Sequence, residues 1–218
     1  MSTLKDEILR KAMILFLTRG YREVTMKEIQ NSVGCSRGVM YHHFINKEQI
    51  FEEVVRIYLL PAFSNFSIIP SGKALTLLDA INTSVEFRTR YISLFKEVIS
   101  DKQKDYYFFK LIFQVGEHYE GFMELVNQLI EQELSTWKII VRLALKNGEI
   151  KKDTDVEFVS QYFAMLPYGL GLARAFKRGL KIEDIKISYM KFYNLIKSDE
   201  TTLSLIPQHY NLTLFISS

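Results

Sequence analysis

Residues 25–47, TMKEIQNSVGCSRGVMYHHFINK, carry the signals of two short helices joined by a tight turn. Thr25 is a natural N-cap residue, and Glu28 three positions later completes a capping box. Gly34 ends the first helix, because glycine takes the left-handed C-cap conformation without a Cβ penalty. Ser36 then serves as the N-cap of a second, shorter helix. The stretch therefore predicts a helix-turn-helix.

The second helix has an unusual outward face. Met40 and Phe44 can pack inward, whereas the Arg-Gly-Val at its start and the following Tyr-His-His are left outside. One interpretation is an ordinary solvated surface helix, and the other is a helix end inserted into the DNA major groove. The second suits the chemistry, since Arg37 can bond O6 and N7 of guanine and Val39 can contact a thymine methyl. Gly38 would allow a close approach to the duplex.

The pattern from Ile8 to Val54 resembles the tetracycline-repressor (TetR) family of bacterial regulators. The matching positions are Ala12, Leu15, Phe16, Gly20, Thr25, Ile29, Val33, Gly34, Ser36, Gly38, Tyr41, His43, Phe44, Lys47 and Glu48. The resemblance covers about the first quarter of the chain, and the combined spacing is far more specific than any single motif. The chain departs from the family pattern at Gln30, where alanine is usual, and at Cys35, where an aliphatic residue is usual.

The resemblance implies roles for individual residues of the helix-turn-helix. Base-edge contacts are implied for Arg37, Val39 and His42, beside the close approach at Gly38. Phosphate contacts, which position a protein without reading sequence, are implied for Thr25, Tyr41, His43 and Lys47. Lys27 suits either role, and we group it with the base contacts.

Composition limits the class of protein. The chain has 218 residues, of which 48% are hydrophobic and 24% charged, which is ordinary for a soluble globular protein. A net charge of +3 does not by itself indicate a nucleic-acid partner. One cysteine excludes an internal disulfide and a cysteine-rich zinc site. No apolar run is long enough to span a membrane, so we expect a cytoplasmic protein with no membrane partner, no metal and no cofactor.

The rest of the chain keeps a helical pattern, which predicts an all-α fold. Helices are expected over about residues 4–19, 47–60, 74–99, 106–115, 118–146, 155–178 and 182–196. We expect a helix-turn-helix DNA-binding domain over residues 1–60, joined to a larger helical ligand-binding and dimerisation domain over residues 61–197. Residues 198–218 form a C-terminal tail that either docks as an extended segment or frays.

An aromatic cluster occupies the first half of the larger domain, where ten rings fall between Glu86 and Phe122. A plain aromatic core and a ligand cavity both explain it, although buried phenols need polar partners and so favour the cavity. The predicted pocket residues are Phe87, Tyr91, Phe95, Phe109, Phe113, Phe122 and Trp137. The expected ligand is mostly apolar or flat and aromatic. The acidic residues between Asp101 and Glu133 disfavour a strongly anionic ligand and allow a lipophilic cation.

The last two helices carry more apolar surface than one subunit needs, and small residues on the first of them permit close helix approach. This pattern predicts a two-fold dimer through a four-helix bundle. The predicted interface residues are Phe158, Tyr162, Leu166, Gly169, Ala173, Tyr189, Phe192 and Tyr193.

Together these features predict a ligand-responsive transcriptional repressor. It would bind a palindromic DNA operator as a homodimer and be released by a small-molecule inducer. One rival is an enzyme built on a helical bundle, but the sequence offers no evident pairing of nucleophile and base and no set of metal ligands. The other rival is an all-α interaction protein with a vestigial helix-turn-helix.

Overall fold

Nine α-helices make up most of the chain that the structure, a computed structural model, describes: residues 3–63, 76–98, 104–176 and 181–198. They are α1 (Leu4–Arg19), α2 (Met26–Val33), α3 (Arg37–His43), α4 (Lys47–Val54), α5 (Leu77–Val98), α6 (Lys104–His118), α7 (Phe122–Lys146), α8 (Val156–Ala175) and α9 (Ile182–Ile196). The predicted all-α fold with an amino-terminal helix-turn-helix is confirmed.

The local signals of the helix-turn-helix act as predicted. Thr25 and Glu28 form both halves of the capping box at the start of α2. Gly34 ends that helix in the left-handed region, at φ +76°. Ser36 and Asn46 accept a backbone N–H with their side chains and cap α3 and α4. Each signal spans only three or four residues, so the sequence alone is enough to place it.

The end of α4 differs from the prediction of one helix over residues 47–60. The α-helix stops at Val54, a π-helical turn covers Val55–Leu59, and a 3₁₀ turn covers Leu60–Ala62. Pro61 explains the end of the element, because a proline lacks the N–H that a continuing helix would use. Single π-helical turns are rare and frequently occur at functional sites.

The boundary between α6 and α7 also differs. The prediction closed the aromatic helix at Gly116 and started the next at His118, but α6 continues through both residues. Gly121, at φ +75°, makes the left-handed turn instead, and α7 begins at Phe122. The start of α8 is shifted as well, since the Asp155 carboxylate accepts the N–H of Phe158 at 3.1 Å. Asp155, expected as the first residue of this helix, therefore caps α8.

Some predictions fall outside the described residues. They concern the loop over residues 66–72, the helix break over residues 100–104 apart from its last residue, and the tail beyond residue 198. The side chain of Phe95, predicted in the ligand pocket, is also outside the described part.

The chain divides into two compact units. The first unit gathers the described parts of Met1–Ser64, Arg90–Leu129 and Gly171–Leu180, and the second gathers those of Asn65–Thr89, Ile130–Leu170 and Lys181–Ser218. The predicted division at residue 60 stays a prediction.

The core of the first unit is built around α1, which packs against α2, α4 and α6. Its buried face is wider than a single helical stripe and includes Ile8, Leu9, Ala12, Met13, Phe16 and Leu17. The ring of Phe16 meets that of Phe51 edge-on at 5.3 Å, which joins α1 to α4. Met40 and Phe44 are buried as predicted, so they hold α3 against this core.

Aromatic rings form the centre of the second unit. Trp137 of α7 stacks on Phe163 of α8 at 4.9 Å, and Tyr189 of α9 meets both rings edge-on. The Tyr189 hydroxyl donates to the carbonyl of Phe163. Three helices are thus joined at one point. Among the described helices of both units, none is long and apolar enough to cross a membrane.

Candidate nucleic-acid interface and interior clusters

The start of α3 is exposed. Arg37, Gly38, Val39, Tyr41 and His42 all lie on the surface. His43 and Lys47 are half-buried, and Lys27 is exposed on α2. The structure thus places all the residues predicted for base contact on the outside of the helix-turn-helix.

Nothing within the subunit requires a glycine at Gly38. It lies in a helix, and a Cβ built on it would meet no atom within 4 Å. Glycine within a helix is less stable than alanine by roughly 0.5–1 kcal/mol. Packing and backbone conformation within the subunit therefore do not account for this glycine, whereas the close approach of an external partner would.

Arg37 and Tyr41 contact each other on the surface of α3. The guanidinium carbon of Arg37 lies 5.4 Å from the centre of the Tyr41 ring, four residues further along the helix. This distance is within the range of a cation–π interaction. Residues four apart on a helix lie on the same face, so the pairing is local.

The turn of the helix-turn-helix is held by Gln30. Its side-chain amide donates to the carbonyl oxygen of Cys35 at 3.1 Å, next to the cap residue Ser36. Sequence reasoning noted Gln30 only as a departure from the family's alanine and missed this contact. The glutamine in place of alanine was the feature of the sequence that pointed to such a contact.

Thr25 is engaged in capping. Its backbone N–H and its hydroxyl both donate to Oε2 of Glu28, at 2.8 and 2.9 Å. In this structure both of its donors are used by the carboxylate of Glu28, so Thr25 caps α2. The phosphate contact from Thr25 stays a prediction.

Glu28 links that cap to α1. Its other carboxylate oxygen accepts from Arg19 at 2.6 Å, which ties the last turn of α1 to the first turn of α2. Hydrogen bonds from Arg19 and Thr25 stabilise the ionised form and lower the pKa of Glu28 to about 2.

Tyr21 connects the loop after α1 to the start of α4. Its hydroxyl donates to Glu48 at 2.9 Å, and its carbonyl accepts from the Lys47 ammonium at 2.9 Å. The same ammonium lies 4.2 Å from the centre of the Tyr21 ring. Burial and the Glu48 carboxylate raise the pKa of Tyr21 to about 12. Lys47 therefore makes contacts within the subunit in addition to its predicted phosphate contact.

A stripe on α6, which we call the α6 stripe, faces the loop after α1. Its members, Lys110, Gln114 and His118, are spaced four residues apart and share one helix face. Lys110 donates to the carbonyl of Thr18 at 3.4 Å, Gln114 accepts the N–H of Tyr21 at 3.1 Å, and the His118 ring lies 5.1 Å from the Tyr21 ring. The stripe joins α6 to the end of α1 and to the loop that leads to α2 by polar and ring contacts.

The second unit contains a buried charged cluster. Arg88 donates to Oε1 of Glu133 at 2.7 Å, and the side chains are 11% and 6% exposed. The hydroxyl of Tyr168 donates to Oε2 of the same carboxylate at 2.6 Å. Burial and the neighbouring carboxylate raise the pKa of Tyr168 above its ordinary value. Sequence reasoning missed this cluster, because its members lie on three helices and no local pattern connects them.

A second buried carboxylate belongs to Glu149, in the turn between α7 and α8. It accepts the backbone N–H groups of Leu77 and Leu78 at 2.8 and 3.1 Å, and the hydroxyl of Tyr193 at 3.1 Å. It therefore caps the start of α5 from 72 residues away along the chain. Burial raises the pKa of Glu149 in spite of these donors.

The predicted pocket residues are divided between the units. Phe87 and Trp137 belong to the second unit, and Tyr91, Phe109, Phe113 and Phe122 to the first. The Tyr91 hydroxyl donates to the carbonyl of Tyr58 in the π-helical turn at 2.6 Å. Phe113 is corrected, because a ring that is 66% exposed does not line an enclosed cavity. One pocket shared by the remaining residues stays a prediction.

The predicted dimer residues are of two kinds. Phe158, Gly169 and Ala173 are exposed, and Tyr162, Leu166 and Phe192 are half-buried. Tyr189 and Tyr193 are corrected: both are buried within the subunit and hydrogen-bonded there, so they do not form a contact surface. Helical spacing placed them on an apolar stripe, but it did not show which side of the stripe faces inward.

Comparison with known proteins gives a consistent result. Residues 8–54 match the family model of bacterial regulatory proteins, tetR family. The HTH-type transcriptional repressor KstR2 of Mycolicibacterium smegmatis is 27% identical over 164 residues, covering 72% of this chain and 73% of that protein. Residues 8–54 therefore form a helix-turn-helix domain of the TetR type. The prediction of a DNA-binding transcriptional regulator is thereby confirmed.

Solved TetR-type structures share the fold over most of their length. The ketosteroid transcriptional regulator KstR2 of Mycobacterium tuberculosis has a TM-score of 0.60 at 18% identity, covering 91% of this chain and 97% of that one. A transcriptional regulator from Saccharomonospora viridis in complex with choline has a TM-score of 0.63 at 19% identity, covering 89% and 98%. The fold shared with these regulators therefore extends well beyond the matched helix-turn-helix.

Proposed function

We propose that this chain is a TetR-type transcriptional repressor that binds a palindromic DNA operator as a homodimer and is released by a small molecule. The observation that supports DNA binding is Gly38, an exposed glycine within a helix that nothing inside the subunit requires. Around it, Arg37, Val39 and His42 present base-reading groups, with Lys27 beside them on α2. The residues that would contact phosphates are Thr25, Tyr41, His43 and Lys47.

DNA binding is tested by selecting bound sequences from a random duplex pool with the purified chain, followed by binding titrations. We expect a palindrome with half-sites about one helical turn apart, because a two-fold dimer presents two recognition helices. Arg37→Ala should lower affinity by about 1–3 kcal/mol and relax one base position in each half-site. Selection of no sequence, or an unchanged profile for Arg37→Ala, would overturn the assignment.

The sensing half rests on the aromatic interior and its buried polar groups. Phe87, Tyr91, Phe95, Phe109, Phe122 and Trp137 remain the proposed pocket residues. Their rings suit a mostly apolar or flat aromatic ligand, or a lipophilic cation held by ring faces. The relative from Saccharomonospora viridis, solved with choline, is one protein of this fold that holds a quaternary ammonium compound.

The α6 stripe is proposed to couple ligand binding in the larger domain to the position of the helix-turn-helix. Lys110 contacts the last turn of α1, and Gln114 and His118 contact Tyr21 in the loop that leads to α2. Tyr21 in turn contacts the start of α4. A ligand that displaces α6 would therefore move the helix-turn-helix. The displacement is limited by the ligand's difference in affinity for the two states.

Dimerisation is proposed through α8 and α9. Phe158 and Leu195 are 58% and 68% exposed, and Met165 and Ile187 add further exposed apolar surface. Exposed apolar side chains grouped on neighbouring helices are typical of a subunit interface.

A further inference from the structure

The ring of Tyr41 has a task beyond the phosphate contact. We propose that Tyr41 is a positioning residue for Arg37: its ring holds the guanidinium in the orientation that reads a guanine, and so sets sequence specificity. This inference rests on the proposed DNA-binding role of Arg37. The observation behind it is the 5.4 Å distance between the guanidinium carbon and the Tyr41 ring centre.

A guanidinium that lies over a ring can still read a base. A cation–π interaction uses the flat face of the guanidinium. The bidentate contact with O6 and N7 of guanine uses the N–H groups on its edge. Because the two contacts use different parts of one planar group, the ring can hold Arg37 before and during base contact.

Preorganisation matters for this side chain. A free arginine on an exposed helix samples many rotamers, and ordering it on binding opposes association. Tyr41 is 44% exposed, and Arg37 is among the residues that contact its ring. A ring held on the helix reduces the freedom that Arg37 loses when it docks.

The hydroxyl and the ring of Tyr41 would then have separable effects. A phosphate contact requires the hydroxyl as a hydrogen-bond donor. The stack requires only the ring. Tyr41→Phe keeps the ring and removes the donor, whereas Tyr41→Leu removes both and keeps a good helix former at an exposed position.

The experiment compares wild type, Tyr41→Phe, Tyr41→Leu and Arg37→Ala on two duplexes. One duplex is the selected operator. The other carries a substitution at one G·C pair, chosen because this substitution weakens binding by wild type but not by Arg37→Ala. The ratio of the two affinities measures discrimination at that base. We expect Tyr41→Phe to keep the ratio, with weaker binding to both duplexes, and Tyr41→Leu to lower it about 5-fold.

A measurement without DNA accompanies it. In wild type and Tyr41→Phe, the ring current should shift the NMR resonances of the Arg37 side chain, and the shift should disappear in Tyr41→Leu. Melting temperatures of all four chains show whether a variant is folded.

Three results would overturn the inference. They are an unchanged ratio in Tyr41→Leu, an equal loss of the ratio in Tyr41→Phe and Tyr41→Leu, and unshifted Arg37 resonances in wild type. If Arg37→Ala lost no base discrimination, the base-reading role of Arg37 would fail as well, and the positioning role with it. A chain that selected no duplex would overturn the proposed function itself.

Discussion

Single residues of the helix-turn-helix separate the demands of folding from those of binding. Gly38 has no internal reason to be glycine, whereas Gly34 holds a left-handed cap. The two glycines lie four residues apart, and their substitution should have different consequences. At Gly34 an alanine strains the backbone, and at Gly38 it only adds a methyl group to the outer surface.

The first prediction uses that contrast. Gly38→Ala should raise the free energy of unfolding by about 0.5 kcal/mol, because alanine favours the helix. It should also weaken operator binding at least tenfold, because the methyl group meets the duplex. Chemical denaturation and a binding titration measure the two effects. Gly34→Ala is the matched control and should destabilise the chain. A Gly38→Ala variant that binds the operator like wild type would refute close approach at this position.

The second prediction concerns pH and Glu28. Its folded pKa of about 2 lies below the ordinary value of 4.5, so its ionised form stabilises the fold. That contribution is fully present above about pH 4.5 and is lost as the pH falls towards 2. Wild type should therefore lose more unfolding free energy between pH 5 and pH 3 than Glu28→Gln does.

Denaturation series at fixed pH values measure this difference. Glu149 shifts in the opposite direction, but it is present in both chains and cancels in the comparison. In an Arg19→Gln background the effect of Glu28→Gln should shrink, because Arg19 is the largest cause of the lowered pKa. Equal pH slopes for wild type and Glu28→Gln would contradict the hydrogen-bonded network.

At the scale of elements, the sequence predicts what local chemistry decides. The caps at Thr25, Ser36 and Asn46 follow from a side chain and a backbone N–H three residues later. The end of α6 does not, because Gly116 and Gly121 are both glycines that could end a helix, and only Gly121 takes the left-handed conformation. The cap that Glu149 gives to α5 is likewise invisible in sequence, since 72 residues separate it from Leu77.

The third prediction concerns the turn between α2 and α3. Gln30→Met keeps the volume of the side chain and removes the donor to the Cys35 carbonyl. We expect an unfolding free energy within about 1 kcal/mol of wild type, as for the loss of one hydrogen bond. We also expect a lower ratio of specific to non-specific DNA affinity, because the start of α3 is less firmly oriented.

Ser32→Ala is the matched control for that prediction. Its hydroxyl bonds the carbonyl of Ile29 within α2, so its loss leaves the turn intact. A specificity ratio that is equal in Gln30→Met, Ser32→Ala and wild type would show that Gln30 only fills space.

The fourth prediction concerns the α6 stripe. Gln114→Ala leaves the Tyr21 N–H without its acceptor, and we expect a loss of about 1–2 kcal/mol in unfolding free energy. Hydrogen exchange of the Tyr21 amide should accelerate in the same variant. Lys110→Ala should change stability by less than about 0.5 kcal/mol, because its bond to Thr18 is long and exposed. If Lys110→Ala lowered the unfolding free energy more than Gln114→Ala did, the Gln114–Tyr21 hydrogen bond would not be the main contact of the α6 stripe.

At the scale of the whole molecule, the two corrected tyrosines show the limit of sequence reasoning. Tyr189 and Tyr193 lie four residues apart on one face of α9 and are buried, whereas the apolar Ile187 and Leu195, each two residues from one of them, lie on other faces and are exposed. An apolar residue on a helix can face its own core or a partner subunit, and periodicity alone does not distinguish these cases. The buried Arg88–Glu133 pair had no local signal at all.

The fifth prediction follows from the exposed residues. Phe158→Glu places a charge on the proposed interface, so sedimentation should show a monomer where wild type is a dimer. Phe158 is 58% exposed, and its replacement leaves the core of the subunit intact. Operator affinity should fall by orders of magnitude, because one half-site alone provides about half of the contacts. Ile139→Glu is the matched control: its side chain is also exposed on a helix, and the variant should stay dimeric and bind DNA. A Phe158→Glu variant that remains a dimer would exclude this face as the interface, and the recognition helices would need another partner surface to bind a palindrome.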